Sequence, residues 1–283
     1  MRLFQKFFGR SPSTEQPESD GFFDQYCHDL PSHQNAVDIL PGWNSAFPGP
    51  LPLQAGNHAL FADPRIVWAI KQAGPIENRK VLEIGPLEGM HTYMLNKHRP
   101  ASIDAVEANK QCFLRCLVTK EILGMERAHF YLGDALKWLE SEERHYDLAV
   151  ASGVLYHMAD PGYFLSQLTR RCDQLFIWTH YFDETVMQAD DPRRKAFNGN
   201  VETRTFAGVP VRYYERHYFN ANATKEFCGG MKDRHYWMHR DDILKLIQSL
   251  GFGDISITQE DPNHSGGPCF CLFAKRDALA KQA

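Results

Sequence analysis

The stretch Val81–Thr92, VLEIGPLEGMHT, constrains this 283-residue chain more than any other. Val81, Leu82 and Ile84 form a short apolar run, as a strand buried on both faces requires. Gly85 breaks the run, Pro86 and Leu87 turn it, Gly89 allows close backbone approach, and Met90 to Lys97 has helix-forming character. A strand that passes through a glycine turn into a helix leaves backbone amides facing a ligand. An ordinary strand-to-helix turn of an α/β protein has the same pattern, and Leu87 stands where dinucleotide-binding folds place glycine. After a second strand-like run, Ser102–Val106, comes Glu107, where a carboxylate accepts both hydroxyls of a ribose.

The alternation continues downstream. Asp63 and Pro64 suit the cap and first position of a helix carrying Ile66, Val67, Ala69 and Ile70, stopped at Gly74-Pro75. Gln111–Leu123 reads as a helix ended by Gly124. Ala128–Leu132 reads as a third strand, followed by Gly133-Asp134-Ala135 and a helix through Leu139. Asp134 suits both the N-cap of that helix and an acceptor for an adenine amino group. Tyr146–Ser152 is a fourth strand, running into Gly153-Val154-Leu155-Tyr156-His157-Met158-Ala159-Asp160. Pro161 opens a further helix through Leu168, and Leu175–Thr179 is a fifth strand. Strand-helix repetition with ligand loops at the strand carboxyl ends predicts an α/β fold: a doubly wound, mostly parallel sheet. The helix at Arg240–Gly251 precedes two strands, Ile255–Thr258 and Pro268–Ala274. The short turn between them makes these an antiparallel closing hairpin.

Residues 181–237 interrupt this pattern. The segment is rich in Tyr, Phe, Arg and His, and an insertion of that length reads as a lid over a substrate site. Its run Arg212-Tyr213-Tyr214-Glu215-Arg216-His217-Tyr218 combines cations with rings, suited to an anionic or sugar-like substrate or a stacked base, and equally to a half-solvated strand. At the other end of the chain, residues 1–20 read as a flexible leader, basic and Phe-rich at first and then polar and acidic. Residues 21–78 read as an N-terminal cap with helices. Pro41–Gly56 excludes regular helix, and Trp43 and Phe47 read as its anchors. The core then spans residues 79–180 and is completed by residues 238–275.

Composition narrows the function classes. A net charge of −4 gives no global attraction to a phosphate backbone. No apolar run reaches membrane-spanning length. Seven cysteines without framework spacing point to reduced thiols and a cytoplasmic setting. Cys112 and Cys116 read as buried helix residues. His235 and His239 have an i,i+4 spacing but no glutamate between them and no third ligand, so no metal site is expected.

VLEIGPLEG, the acidic end of IDAVEAN and LGDALKWL, in this order and spacing, resemble the motifs of class I S-adenosylmethionine-dependent methyltransferases. SGVLYHMADP resembles the loop after strand four in that family, notably in its tRNA wobble-uridine-modifying branch. The resemblance spans about residues 79–274. It implies a Rossmann-like, seven-stranded sheet of order 3-2-1-4-5-7-6 and S-adenosyl-L-methionine as cofactor. Glu83, Gly85, Pro86 and Gly89 would line its methionine end, and Glu107 with Ala108 its ribose. Gly133, Asp134 and Ala135 would line its adenine, and Ser152 and Gly153 its sulfonium side. Leu87 fits this cofactor better than a dinucleotide, because there is no pyrophosphate to crowd.

Methyl transfer is an in-line displacement that needs aligned partners and excluded water, and an oxygen nucleophile of high pKa also needs a base. His157, after strand four, and His180, directly after strand five, are the candidate bases. Each also serves as a packing or hydrogen-bonding residue. Tyr156, Arg212 and Tyr214 are the candidate substrate contacts. The expected function is methyl transfer to a small-molecule acceptor at oxygen. Alternatives are a tRNA wobble-uridine-type enzyme, with the ordinary or a carboxylated cofactor, and a non-catalytic cofactor-binding module. Leu87 and the closing hairpin disfavour a nicotinamide oxidoreductase.

Overall fold

A computed structural model describes residues 26–224, 227 and 229–277. The expected leader, residues 1–20, lies outside the described residues. The first helix, α1 (His33–Asp38), is capped by Ser32. Among the described residues before Pro41 it is the one helix. The Pro- and Gly-rich segment that follows carries no helix until Leu60. Trp43 and Phe47 anchor it, packing with Val37, Phe61 and Met90.

Asp63 caps α2 (Pro64–Ala73), with Pro64 in its first turn. The core then runs β1 (Lys80–Ile84), α3 (Met90–Asn96), β2 (Ser102–Glu107), α4 (Lys110–Leu123), β3 (Ala128–Leu132) and α5 (Ala135–Ser141). It continues through β4 (Leu148–Ser152), α6 (Pro161–Arg170) and β5 (Gln174–His180). After the insertion come α7 (Arg240–Ser249), β9 (Asp254–Asp261) and β10 (Cys269–Lys275). These strands form one seven-stranded sheet of order β3-β2-β1-β4-β5-β10-β9. With β9 and β10 counted as its sixth and seventh strands, this is the expected 3-2-1-4-5-7-6 order. β10 lies antiparallel to both β5 and β9, and the first five strands are mutually parallel.

The apolar runs explain the sheet. Val81, Leu82 and Ile84 are buried, and each such side chain contributes roughly 1.5–3 kcal/mol relative to exposure. Leu82 and Ile84 pack with α5, α6 and α7 on one face, and Val81 packs with α2 and α3 on the other. Helices therefore cover both faces, as a parallel sheet requires.

The insertion is more ordered than its sequence suggested. It forms a second, three-stranded antiparallel sheet of β6 (Phe197–Phe206), β7 (Val209–His217) and β8 (Arg234–Met238). Register places Arg216 opposite His235, and Tyr214 opposite Trp237. One face carries Tyr213, Tyr236 and Met238 into the main core beside α6. The other carries Tyr214 and Trp237 into a smaller cluster with Phe182, Phe197 and Tyr156. His235 lies on β8 and His239 caps α7, so their four-residue spacing belongs to no helix turn. No described helix is long and apolar enough to cross a membrane.

Candidate active site

The expected cofactor residues meet at the carboxyl ends of β1 to β4. Gly85 has φ +69°, and a Cβ there would sit 2.9 Å from Val154 Cγ2. The loop after β1 thus approaches the loop after β4 at a distance only glycine permits. Leu87 also takes a positive φ, 58°. Its amide donates to Glu107 Oε2 at 3.1 Å, and the Asn109 amide donates to Glu107 Oε1 at 2.8 Å. Glu107 thereby ties the first loop to the second, on either side of Ala108, and a carboxylate oxygen accepts more than one hydrogen bond.

Glu83 is buried on β1 and accepts from Thr92 Oγ1 at 2.5 Å. Its other oxygen has no partner among the described residues, and burial pushes its carboxyl up despite His91 and Thr92. Pro86 accepts a turn bond from the Gly89 amide. Gly89 itself turns toward Met125 and Phe130, where an added Cβ would lie 3.4 Å from each; it packs α3 against the sheet. The Gly133 amide donates to the Glu107 carbonyl. Asp134 caps α5 by accepting from the Leu136 amide at 2.9 Å, with Ala135 opening that helix. Gly133, Asp134, Trp138 and Tyr131 line a cleft of about 460 Å³. Ser152 ends β4, and the Gly153 amide donates to the Trp178 carbonyl.

Glu88 works on the N-terminal segment. Fully buried, it accepts from the Asn44 and Ser45 amides at 2.8 Å each, and Arg115 stands 3.5 Å away. Asp63 accepts from Arg65 and from His91 at 2.9 Å. Burial works against that carboxylate, but the bonds from His91 and Arg65 outweigh it and hold its pKa well down. The Arg65 guanidinium in turn covers the Trp178 ring at 4.4 Å. None of these contacts is readable from local spacing.

A second group of residues lies where β4, β5 and the three-stranded sheet meet. Tyr156 packs against His157, His180, Trp178 and Trp237, with ring centroids 4.1–6.1 Å away. His180 lies flat on Trp237. Its Nδ1 is 2.8 Å from the Gly267 carbonyl and 3.3 Å from that of Pro268. Carbonyls only accept, so Nδ1 carries the proton and Nε2 holds the lone pair. Burial, with the charges of His264 and Arg216, lowers its pKa to about 4 against the carbonyl bonds. His157 bonds the Tyr218 hydroxyl of the insertion through Nδ1. Burial first, and then the neighbouring His235, Arg216 and His180, lower its pKa to about 3. Both imidazoles are therefore neutral at pH 7.

The expected substrate residues divide. Tyr156 is in this cluster. Tyr214 stacks on Phe182 at 4.0 Å and donates to Glu184 at 2.6 Å. The Arg212 guanidinium is bound by Asp242 of α7 at 2.8 and 2.9 Å, which neutralises it. The cation that reaches the rings is Arg216, 5.0 Å from the Trp237 ring. Sequence reading passed over Trp237 and Trp178, and named Tyr218 only as the end of the ring-and-cation run. The ring-and-cation run flagged the right strand but not which cation has a carboxylate.

The donor atoms of His180, His264 and Cys269 lie within 4.8 Å of one another. The Gly266 amide donates to His264 Nδ1 at 3.1 Å, which puts that ring's proton on Nε2. The trio is not poised as three lone pairs, and no metal is assigned to it.

Structural comparison decides the fold. The N-terminal domain of EvdMO1, crystallised with S-adenosylhomocysteine, superposes with a TM-score of 0.63 and 21% identity. The match covers 87% of this chain and 99% of that domain. The fold is that of the class I methyltransferases. The same domain crystallised with S-adenosylhomocysteine and D-fucose present gives 0.62 over the same shares. Full-length EvdMO1 matches with a TM-score of 0.58 and 18% identity over 88% of this chain and 48% of that one. No protein-family model and no curated protein matches the sequence.

Proposed function

We propose that this chain is an S-adenosylmethionine-dependent methyltransferase acting at an oxygen of a small molecule. The cradle fits the cofactor. A Cβ at position 85 would crowd Val154, a buried Glu83 oxygen lacks a partner among the described residues, and acidic side chains stand at the end of β2 and just after β3. EvdMO1, with the same fold, binds S-adenosylhomocysteine. In this reading Glu107 holds the ribose hydroxyls, Asp134 the adenine amino group, and the loops at Gly85–Pro86 and Ser152–Gly153 flank the methionine end. The cofactor supplies a methyl group made electrophilic by its sulfonium.

His180 carries the oxygen assignment. Its tautomer is fixed by the Gly267 and Pro268 carbonyls, so Nε2 is an acceptor, next to the Tyr156 and Trp237 rings. An unprotonated imidazole there takes the proton of a hydroxyl as oxygen attacks the methyl carbon. His157 bonds Tyr218 and so ties the lid to the loop after β4. Tyr156, Trp178 and Trp237 exclude water and face aromatic surface to the sulfonium side. Tyr214 and Arg212 shape the lid around them. Residues 181–237 act as the lid on a core of 79–180 and 238–275, in a cytoplasmic enzyme.

The test is transfer of isotopically labelled methyl from S-adenosylmethionine to a panel of phenols, sugar hydroxyls, carboxylates and amines. Labelled ethers or esters support the reading. Label on amines alone, or no transfer despite cofactor binding, contradicts it.

A further inference from the structure

Arg216 is a half-buried cation among rings, with its Nε out of contact with solvent. Its guanidinium lies 5.0 Å from the Trp237 ring, 5.8 Å from Phe197 and 5.9 Å from Tyr218. Among the described residues no carboxylate pairs with it. Among the described residues its hydrogen bond runs from Nη1 to His235 Nε2 at 3.2 Å. His235 donates its own Nδ1–H to the Asp233 carbonyl at 3.0 Å, so it accepts as a neutral ring and leaves the positive charge uncompensated. Among the described residues, Arg216 Nε is buried with no partner, and so is Trp237 Nε1. Two unsatisfied N–H donors thus belong to side chains in ring-to-cation contact.

The nearby carboxylates are engaged elsewhere. Glu215, the next residue on the strand, points to the opposite face of the sheet. There it binds Arg234 at 2.6 Å, His217 and Asn198. Glu184 accepts from Tyr214, and Asp233 pairs with His217. Every other guanidinium of the lid sheet has an acid: Arg204 has Asp160 and Glu202, Arg212 has Asp242, and Arg234 has Glu215.

We infer that Arg216 is the anion subsite of the acceptor pocket, and that the methyl acceptor bears a carboxylate or similar oxyanion. A cation removed from water without a counter-charge is costly, and an incoming anion offsets that cost. Among the described residues neither Nε nor Nη2, which form one edge of the guanidinium, has a hydrogen-bond partner. This edge is the planar fork that matches two carboxylate oxygens. Phe197, Tyr218 and Trp237 supply the apolar walls for the body of such a molecule. The inference rests on the methyltransferase reading for the word acceptor, but not for the anion site itself.

The experiment is calorimetric titration of the full chain, with and without S-adenosylhomocysteine, using 4-hydroxybenzoate and its neutral counterpart 4-hydroxybenzamide, with inorganic phosphate as a third probe. At least one anion is expected to bind, with 4-hydroxybenzoate at least tenfold tighter than the amide. Arg216→Gln abolishes this preference and Arg216→Lys retains part of it, while affinity for S-adenosylhomocysteine stays within twofold in both. Equal binding of acid and amide, no binding of either anion, or an Arg216→Gln protein that still prefers the acid overturns the inference. So does a large loss of S-adenosylhomocysteine affinity in Arg216→Gln, which assigns the cation to the cofactor. A carboxylate preference in a protein that does not bind S-adenosylhomocysteine upholds the anion site and defeats the methyltransferase reading. Cofactor binding with no anion preference does the reverse.

Discussion

The imidazole of His180 lies against the indole of Trp237, centroids 5.0 Å apart and planes 5° from parallel. One residue ends β5 of the main sheet and the other belongs to β8 of the lid. A side chain at position 267 would come within 2.4 Å of the Trp237 ring, so the turn before β10 must be glycine for the pair to form. The stack fixes the ring that the Gly267 carbonyl already orients, and it joins lid and core at the point where chemistry is proposed.

Replacing His180 by Ala is therefore expected to lower the transfer rate by roughly 10²–10⁴ if it is the base. Binding of S-adenosylhomocysteine should change little. Single-turnover rates on an acceptor found by the labelled-methyl screen check this. A neutral imidazole with pKa about 4 also predicts a flat kcat/KM through pH 6.5, where an unperturbed histidine would titrate. An unchanged rate in His180→Ala moves the base role to His157 or removes it.

Glu107→Ala removes the proposed ribose acceptor and also releases the Leu87 and Asn109 amides. Charge-assisted bonds of this kind are worth roughly 1.5–3 kcal/mol, or about one to two orders of magnitude in affinity. The calorimetric Kd for S-adenosylhomocysteine reads the effect directly. Undiminished affinity would refute the ribose assignment.

Much of this core was legible because its signals are local. Apolar runs, glycine turns and cap residues mark each strand and helix of the parallel sheet, and Asp63, Asp134 and Gly124 sit at helix ends as read. The lid sheet was not legible, because both of its faces are partly buried. Tyr213 and Tyr236 enter one core while Tyr214 and Trp237 enter another, which erases the apolar-polar alternation of an ordinary strand. Arg212 and Arg216 look equivalent in sequence. Asp242, 30 residues away, neutralises the first, and nothing among the described residues neutralises the second. The role of Glu88 has no local signal, since the amides it binds lie more than 40 positions earlier.

Glu88→Gln should destabilise the fold by roughly 3–5 kcal/mol, as loss of one partner of a buried pair does, because Arg115 would keep a buried charge. Denaturant unfolding measures it. A change under 1 kcal/mol would mean that the Asn44–Ser45 segment is held by its aromatic anchors instead.

Stability should rise with pH between about 4 and 6.5. His157, His180 and His235 have folded pKa values lowered to about 3, about 4 and about 4, burial being the first cause in each. Unfolded histidine titrates near 6.5. Below that value the unfolded chain binds more protons, so stability falls as pH drops toward the folded values, by up to roughly 1.4 kcal/mol per pH unit for each ring. Urea midpoints at pH 5 and pH 7 give the slope. Equal midpoints would mean that these rings are not buried neutral.

The most direct measurement is calorimetric titration of the purified chain with S-adenosylhomocysteine, with NAD as control. The account predicts micromolar binding of S-adenosylhomocysteine alone, weakened in Glu107→Ala. No binding, or binding of NAD in its place, would contradict it and leave the Gly85 turn as part of an α/β fold without this cofactor.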